Sequence, residues 1–354
     1  MVAIMKTKLF LLTLLAPMML TSVSGCSTNS GMKLTYGTYI RSSDPKDTNA
    51  TELTFGSLSK KMDSTSDFSK ENFLLVIYPT NGCYCWTKFQ NVLKEFINDT
   101  NYLVYQIKIT EFGDDNLGFK MEQGNVSFAI VKGGQIVKQY IASNIFESLD
   151  SFKAEVSKYV KAPDLYYVNQ EQLDNAIKQQ EPVLVEYIRE ACGDCQYASP
   201  NAVWEYSYKN TFKTKMYVIA LDDIRNDAIV YKEFKDTHNL SNVFSQDFGY
   251  GEGVVPTFQY YERGELKGAS VYFNDTVEMV DGQLKVTNSY YSAQRRVKLE
   301  YASSVTTNVL EGLTLTADDV DDYTSLGYGY VWKHESANKY HKPLFEAFMN
   351  KYAI

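Results

Sequence analysis

The chain has 354 residues with 43 acidic against 35 basic side chains, which gives a formal net charge of −8 at pH 7. An acidic chain without a basic block argues against nucleic acid as a partner and against charge-driven binding to an anionic lipid surface. Its length predicts two domains rather than one.

An export signal is predicted over residues 1–25. Lys6 and Lys8 give a positive start, and an apolar run follows from Leu9 to Leu20. This run is too short to span a bilayer comfortably, which favours a cleaved signal over the alternative of an uncleaved N-terminal anchor helix. Because residues 1–25 hold two lysines and no acids, cleavage would move the net charge to about −10.

The end of this segment, from Val23 to Cys26, resembles the lipobox of bacterial lipoproteins. The resemblance implies cleavage before Cys26 and attachment of a lipid to its sulfur. Two acyl chains bury enough CH₂ groups for stable anchoring in the lipid bilayer. The polar residues 26–32 would then form a tether. The predicted location is therefore the extracytoplasmic face of the cell membrane, with Cys26 as the lipid anchor.

The remaining four cysteines form two close pairs, Cys83 with Cys85 and Cys192 with Cys195. An exported protein meets oxidising conditions, so closely spaced cysteines are expected either to cycle or to stay bridged.

The chain repeats one layout of predicted elements around these two pairs. Each copy begins with a short apolar run that is typical of a buried central strand and ends in a cysteine loop. A helix, a second apolar strand and a hairpin with glycine turns follow. These three elements are predicted at 86–98, 102–109 and 126–137 in the first copy, and at 196–208, 215–221 and 256–267 in the second.

The segment from Val183 to Cys195 resembles the active-site strand and loop of thioredoxins, and Gly253–Phe258 resembles the loop whose cis-proline faces the disulfide. The resemblance implies an α/β fold with two thioredoxin-like domains in tandem, each a central mixed sheet flanked by helices. They are placed at 33–162 and 163–354, the second with a C-terminal extension.

The thioredoxin resemblance assigns four catalytic residues. Cys192, at a helix N-terminus that favours the thiolate, would attack, and Cys195 would resolve the mixed disulfide. Glu186 would accept the proton of Cys195, the alternative being an outward-facing glutamate in a salt bridge. Pro256 would be cis, the alternative being a trans turn proline.

Charges near Cys192 bear on the redox direction. Asp194 and Glu190 both oppose a thiolate at Cys192, which favours a reducing couple, whereas Arg189 would act in the opposite sense.

A zinc site is the alternative to redox chemistry at a C-x-x-C motif, and it needs two further Cys or His ligands. The three histidines, His238, His334 and His341, are scattered along the chain. We therefore expect neither a metal nor a cofactor.

The first copy departs from the second. Its Cys83-Tyr84-Cys85 loop has one residue fewer, and the positions matched to Glu186 and Pro256 are Ile77 and Val126. Three interpretations stay open: a degenerate structural domain, a redox relay that exchanges electrons with the Cys192–Cys195 pair, or a site that binds a metal or another ligand.

The spacing of the two copies also differs. There are 43 residues from Cys83 to Val126 and 64 from Cys192 to Pro256. The extra residues are assigned to 225–251, which either shape substrate access or form a passive surface elaboration.

The domain ends are predicted from composition. A helix over 147–161 closes the first domain, residues 271–303 are strand-rich, and an amphipathic helix over 340–352 closes the chain. The acidic cluster at 318–322 lacks the spacing of a calcium loop.

Two functions follow from these observations. The first is a membrane-anchored thiol–disulfide oxidoreductase acting on disulfides of exported proteins, with exported thiol or disulfide proteins and a membrane electron donor as partners. The second is a non-catalytic substrate-binding or adaptor lipoprotein that retains the fold.

Overall fold

The computed structural model describes residues 50–81, 84–142, 144–241, 253–305 and 310–354. The predicted signal, Cys26 and the tether lie outside these ranges, as does Cys83. No helix within the described ranges is long and apolar enough to cross a membrane.

The first domain is built on a five-stranded mixed sheet. Its strands are β1 (Thr51–Glu52), β2 (Phe73–Tyr78), β3 (Val104–Lys108), β4 (Ser127–Lys132) and β5 (Gln135–Ile141). Their order across the sheet is β1-β3-β2-β4-β5, with β1, β3 and β2 parallel and β4 and β5 antiparallel to their neighbours. The central β2 is an unbroken apolar run because both faces of a central strand are covered by helices.

Three helices accompany the first sheet: α1 (Phe55–Met62), α2 (Tyr84–Asp99) and α3 (Leu149–Val156). The buried residues of α2 recur at helical spacing, which gives it an apolar face toward the sheet. The helix predicted over 147–161 is shorter than expected: a 3₁₀ turn occupies 144–147 and α3 ends at Val156.

The second domain repeats the same topology. Its strands are β6 (Leu165–Tyr167), β7 (Val183–Ile188), β8 (Lys215–Ala220), β9 (Thr257–Glu262) and β10 (Glu265–Val271), in the order β6-β8-β7-β9-β10. Its helices up to β10 are α4 (Gln170–Lys178), α5 (Gly193–Ala198), α6 (Trp204–Lys209), α7 (Asp222–Arg225) and α8 (Ala228–Thr237). The predicted α/β class, two mixed sheets flanked by helices in tandem, is confirmed for the described residues.

Both hairpins turn where glycines were expected. Gly133 and Gly134 between β4 and β5 have φ of 59° and 70°, and Gly264 between β9 and β10 has φ of 76°. A two-residue hairpin turn that matches the strand twist needs positive φ, which glycine adopts at little cost.

The helix after the second cysteine pair is not regular. In place of one helix over 196–208, α5 runs into a π-helical segment at Ser199–Val203, and α6 continues from it. All five residues of the π-helical segment are buried. Such segments interrupt helices most often near functional sites.

The π-helical segment and α6 also face the first domain. Lys70 donates a hydrogen bond to Asn201 in the π-helical segment, and the backbone N–H of Asn72 donates to the hydroxyl of Tyr208, 2.9 Å away. The first domain therefore supports the helix that carries the second cysteine pair.

A third sheet follows β10, and the sequence did not predict it. It contains β11 (Asp275–Val280), β12 (Gln283–Ser289), β13 (Thr314–Leu315), β14 (Val320–Tyr323) and β15 (Gly329–Trp332), in the order β13-β12-β11-β15-β14. Between β12 and β13 lie two short helices, α9 (Ala293–Lys298) and α10 (Glu300–Ser303), so only part of the predicted strand-rich stretch is strand.

The last helix, α11 (His334–Tyr352), returns to the second sheet and begins six residues earlier than predicted. The ring of Phe345 packs 4.9 Å from that of Phe258 in β9, and Tyr352 stacks 4.5 Å from Tyr260. The third sheet is therefore inserted in the chain between the β9–β10 hairpin and the closing helix.

Candidate functional site

The central strand of the second sheet carries a buried acid. Glu186 in β7 lies between Val218 of β8 and Phe258 of β9, and its residue is only 2% exposed. Among the described residues, none provides a hydrogen-bond partner for its Oε1. The predicted burial is confirmed, and the alternative of an outward-facing glutamate in a salt bridge is wrong.

This burial changes the acidity of Glu186. Transfer of a carboxylate out of water disfavours its charged form, and no cation of the described residues offsets the effect. Desolvation raises the pKa of Glu186 from 4.5 to about 8. Glu186 is thus mostly protonated at pH 7, yet close enough to its titration to accept or donate a proton.

The two cysteines after β7 are both thiols. Cys192 is the N-cap of α5 and Cys195 lies inside its first turn. The Sγ of Cys192 donates a hydrogen bond to the carbonyl oxygen of Val255 at 3.5 Å. Cys192 is 2% exposed and Cys195 is fully buried. The attacking cysteine is therefore shielded from solvent almost as completely as the resolving one.

Burial raises the pKa of the Cys195 thiol above its ordinary value. Interactions with the Cys192 sulfur and with the backbone of Arg189 oppose this rise, and the charges of Asp194 and Glu186 add to it. Cys195 therefore keeps its proton until a nearby group accepts it, as expected of a resolving thiol.

The loop that faces the thiols ends in Pro256, and the Val255–Pro256 peptide bond is cis. The prediction of a cis-proline is confirmed, and the alternative of a trans turn is wrong. Thr257, the first residue of β9, pairs with Tyr187 of β7, which places Val255 over the start of α5.

The predicted insertion over 225–251 is described as far as residue 241. Its helix α8 contacts the cis-proline loop, because the hydroxyl of Tyr231 donates a hydrogen bond to the carbonyl of Gly253 at 3.0 Å. The guanidinium of Arg225 lies 5.0 Å from the centre of the Tyr231 ring, and the ammonium of Lys235 lies 4.9 Å from it. This contact favours a role in shaping the site over a passive surface elaboration.

Asp194, between the two cysteines, has a partner that the sequence did not indicate. Nε2 of His334, the first residue of α11, lies 2.8 Å from Oδ1 of Asp194. Sequence reasoning treated the three histidines as scattered, and no local pattern links residues 140 positions apart. The acidic Asp194 is therefore not an isolated charge beside the thiols.

The other two histidines also pair with aspartates, His238 with Asp174 and His341 with Asp275. Within the described part of the chain, no group of three or more His, Cys, Asp or Glu side chains could hold a metal ion.

The first cysteine pair is described only at Cys85, which is disulfide-bonded, whereas Cys83 lies outside the described residues. A disulfide at Cys85 excludes this sulfur as a metal ligand in this state and leaves the structural interpretation, the redox interpretation and the binding of a ligand other than a metal.

The register of the sheets corrects the matched position. Val76 pairs with Phe128 in the first sheet as Glu186 pairs with Phe258 in the second. The counterpart of Glu186 is therefore Val76 rather than Ile77. Both are apolar and fully buried, so the first copy still lacks an acid at this place.

Comparison with known proteins leaves the family open. No protein-family model and no curated protein matches the chain. Among solved structures it is similar to ERdj5 form I, with 14% identity over 61% of this chain and 25% of that chain and a TM-score of 0.26. Human ERp44 form I shows 9% identity over 73% of this chain and 55% of that chain, with a TM-score of 0.30.

A mutant thioredoxin from Halobacterium salinarum NRC-1 shows 21% identity over 32% of this chain and 81% of that chain, with a TM-score of 0.22. All three TM-scores are below 0.5. The assignment of the fold therefore rests on the strand order and the register described above.

Proposed function

We propose that this chain is a thiol–disulfide oxidoreductase that acts on disulfides of exported proteins through Cys192 and Cys195. One arrangement carries the proposal: two thiols at the start of α5 face the cis-Pro256 loop, and a buried carboxyl group, Glu186, lies on the strand that leads to them.

In the reducing direction, the thiolate of Cys192 attacks one sulfur of a substrate disulfide. The substrate S–S bond breaks, a mixed disulfide forms, and the departing thiolate takes a proton from solvent. Cys195 then transfers its proton to the carboxylate of Glu186 and attacks Sγ of Cys192. This expels the second substrate sulfur as a thiolate, which takes a proton from solvent, and Glu186 returns its proton to solvent. The substrate gains two electrons, and the two thiols of the protein become a disulfide that an electron donor must reduce.

Glu186 is the proton acceptor in this scheme because Cys195 is shielded from water. With Cys195 fully buried, a base in solvent cannot reach its thiol directly. Burial raises the pKa of Glu186 to about 8, close to the pH at which such a protein would work. A general base is most effective when its pKa lies near the operating pH.

One observation favours the second candidate, a non-catalytic binding or adaptor protein. Cys192 is only 2% exposed, whereas reactive cysteines usually lie in partly exposed surroundings. An oxidoreductase must therefore open at the cis-Pro256 loop to admit a substrate, and a binding protein need not.

Trapping of mixed disulfides separates the two candidates. We expect Cys195→Ala to accumulate a covalent adduct with a small disulfide protein such as insulin, because Cys192 attacks and nothing resolves the product. Cys192→Ala should form none. The measurement is the mass of the acid-quenched adduct under non-reducing conditions. Equal trapping by the two variants, or trapping by neither, would contradict the assigned roles.

We also propose that Cys26 anchors the protein in the extracytoplasmic face of the membrane, on the strength of the lipobox-like residues before it. Cells expressing Cys26→Ala should incorporate no labelled palmitate into the protein and release it from the membrane fraction. Unchanged labelling and retention would show that the anchor lies elsewhere.

A further inference from the structure

The redox motif is contacted by a side chain from the far end of the chain. His334 begins α11 directly after the third sheet and lies 2.8 Å from Asp194, which occupies the position between Gly193 and Cys195. Asp194 is 8% exposed, so this hydrogen bond is largely withdrawn from water.

Aromatic rings hold the imidazole of His334 in place. Tyr197, one turn after Asp194, stacks on it with ring centres 5.1 Å apart and planes 28° apart. Phe273, which links β10 to the third sheet, lies 4.9 Å away. Phe273 and His334 flank the inserted sheet at its two ends. The insertion therefore begins and ends against the active-site helix.

The charge of Asp194 matters to both thiols. It raises the pKa of Cys195, and it lies within the first turn of the helix that Cys192 caps. Burial raises the pKa of Asp194, while the hydrogen bond and the charge of His334 lower it. His334 thus supports the carboxylate form of Asp194 and, when protonated, offsets its charge.

We propose that His334 is a positioning residue of the redox site, which holds Asp194 through their hydrogen bond and so sets the electrostatic surroundings of Cys192 and its reactivity. The proposal rests on the proposed function. Loss of the imidazole would leave Asp194 without the hydrogen bond and the opposing charge that lower its pKa.

Other titratable groups lie near the Asp194–His334 pair and act electrostatically on it or on Tyr197. His341 and Asp275, which are hydrogen-bonded to each other, act on Asp194 with opposite signs. On α11 itself, Glu335 follows His334 and acts electrostatically on Tyr197. None of these groups hydrogen-bonds to Asp194 among the contacts of the described residues, so His334 is the group to change.

The test measures the rate at which Cys192 reacts with iodoacetamide from pH 5 to pH 9, in the full chain carrying Cys195→Ala. His334→Gln should slow the reaction about three- to tenfold at neutral pH and change the shape of its pH profile, because Asp194 loses the partner that offsets its charge. Asp194→Asn should not slow it. The double variant should react like Asp194→Asn alone, because His334 acts through Asp194.

His238→Gln is the matched control, since His238 is a buried histidine with an aspartate partner, Asp174, on other helices. It should lower the melting temperature without moving the pH profile. If His334→Gln behaves in the same way, or slows the reaction equally in the Asp194→Asn background, the inference is wrong. If His334→Gln does not fold, the pH profile of the iodoacetamide reaction in Asp194→Asn is the deciding measurement. A profile identical to that of the wild type would overturn the inference.

Failure of this inference and of the proposed function are distinguishable. If the wild type exchanges disulfides and the His334 and Asp194 variants have the same pH profile as the wild type, only the role of His334 is refuted. A wild-type protein that exchanges no disulfide refutes the function itself.

Discussion

Glu186→Gln should raise the free energy of unfolding by about 3 kcal/mol at pH 7. Its pKa is about 8 in the folded protein, against an ordinary value of 4.5. Between these two values the unfolded chain loses the proton of Glu186 while the folded chain keeps it, so the wild type loses about 1.4 kcal/mol of stability for each pH unit. Glutamine does not titrate and removes this loss.

The pH window follows from the same pKa shift. Wild type and Glu186→Gln should be equally stable below about pH 4.5, diverge up to about pH 8 and keep a constant difference above it. Denaturation curves of both proteins in a reducing buffer measure this difference. Parallel stability profiles across the whole range would mean that Glu186 is not protonated in the fold.

The same substitution should slow resolution of a mixed disulfide on the order of 100-fold at pH 7, since general acid–base catalysis by one group contributes at least this much. The rate of substrate release from a mixed disulfide at Cys192, in protein that retains Cys195, measures this step. The release rate of the wild type should level off above pH 8, whereas that of Glu186→Gln should keep rising with pH because hydroxide replaces the lost base.

Val76→Leu is the matched control, because Val76 occupies the place of Glu186 in the first sheet. It should leave exchange at Cys192 unchanged. If Glu186→Gln also releases substrate at the wild-type rate at every pH, Glu186 has a structural role and the binding-protein candidate gains support.

Gly253→Ala should disrupt the cis-Pro256 loop. It should lower the free energy of unfolding by more than replacement of a positive-φ glycine by alanine normally does. Gly253 has φ of +80°, and a Cβ atom there would lie 2.0 Å from the hydroxyl oxygen of Tyr231. The backbone strain costs about 1–3 kcal/mol. Displacing Tyr231 also breaks its hydrogen bond to the Gly253 carbonyl, which adds about 1 kcal/mol.

Gly282→Ala is the control that measures the backbone strain without a steric clash, because Gly282 has φ of +77° and nothing lies within 4 Å of the added Cβ. Thermal melts should show a larger loss for Gly253→Ala, and its exchange rate should fall because the loop no longer holds Val255 against Cys192. Equal melting temperatures and unchanged exchange in both variants would show that Tyr231 does not support the loop.

The sequence by itself determined the features that depend on neighbouring residues. Apolar runs of strand length predicted the central strands β2 and β7, and paired glycines predicted the hairpin turn at Gly133-Gly134, because strand burial and turn geometry act over a few residues. The candidate site was located for the same reason. Glu186 and Cys192 are six residues apart on one strand and the loop that follows it, and Pro256 directly precedes a predicted strand.

Only the tertiary structure decided the contacts between distant parts of the chain. The third sheet, the pairing of His334 with Asp194 and the hydrogen bond from Tyr231 to Gly253 all depend on how inserted segments fold back onto the second sheet. The one-residue shift from Ile77 to Val76 was likewise visible only in strand pairing. Local patterns do not encode these contacts, because packing brings together residues that are far apart in sequence. Once buried, their polar groups need hydrogen-bond partners, and only the fold decides which partners lie within reach.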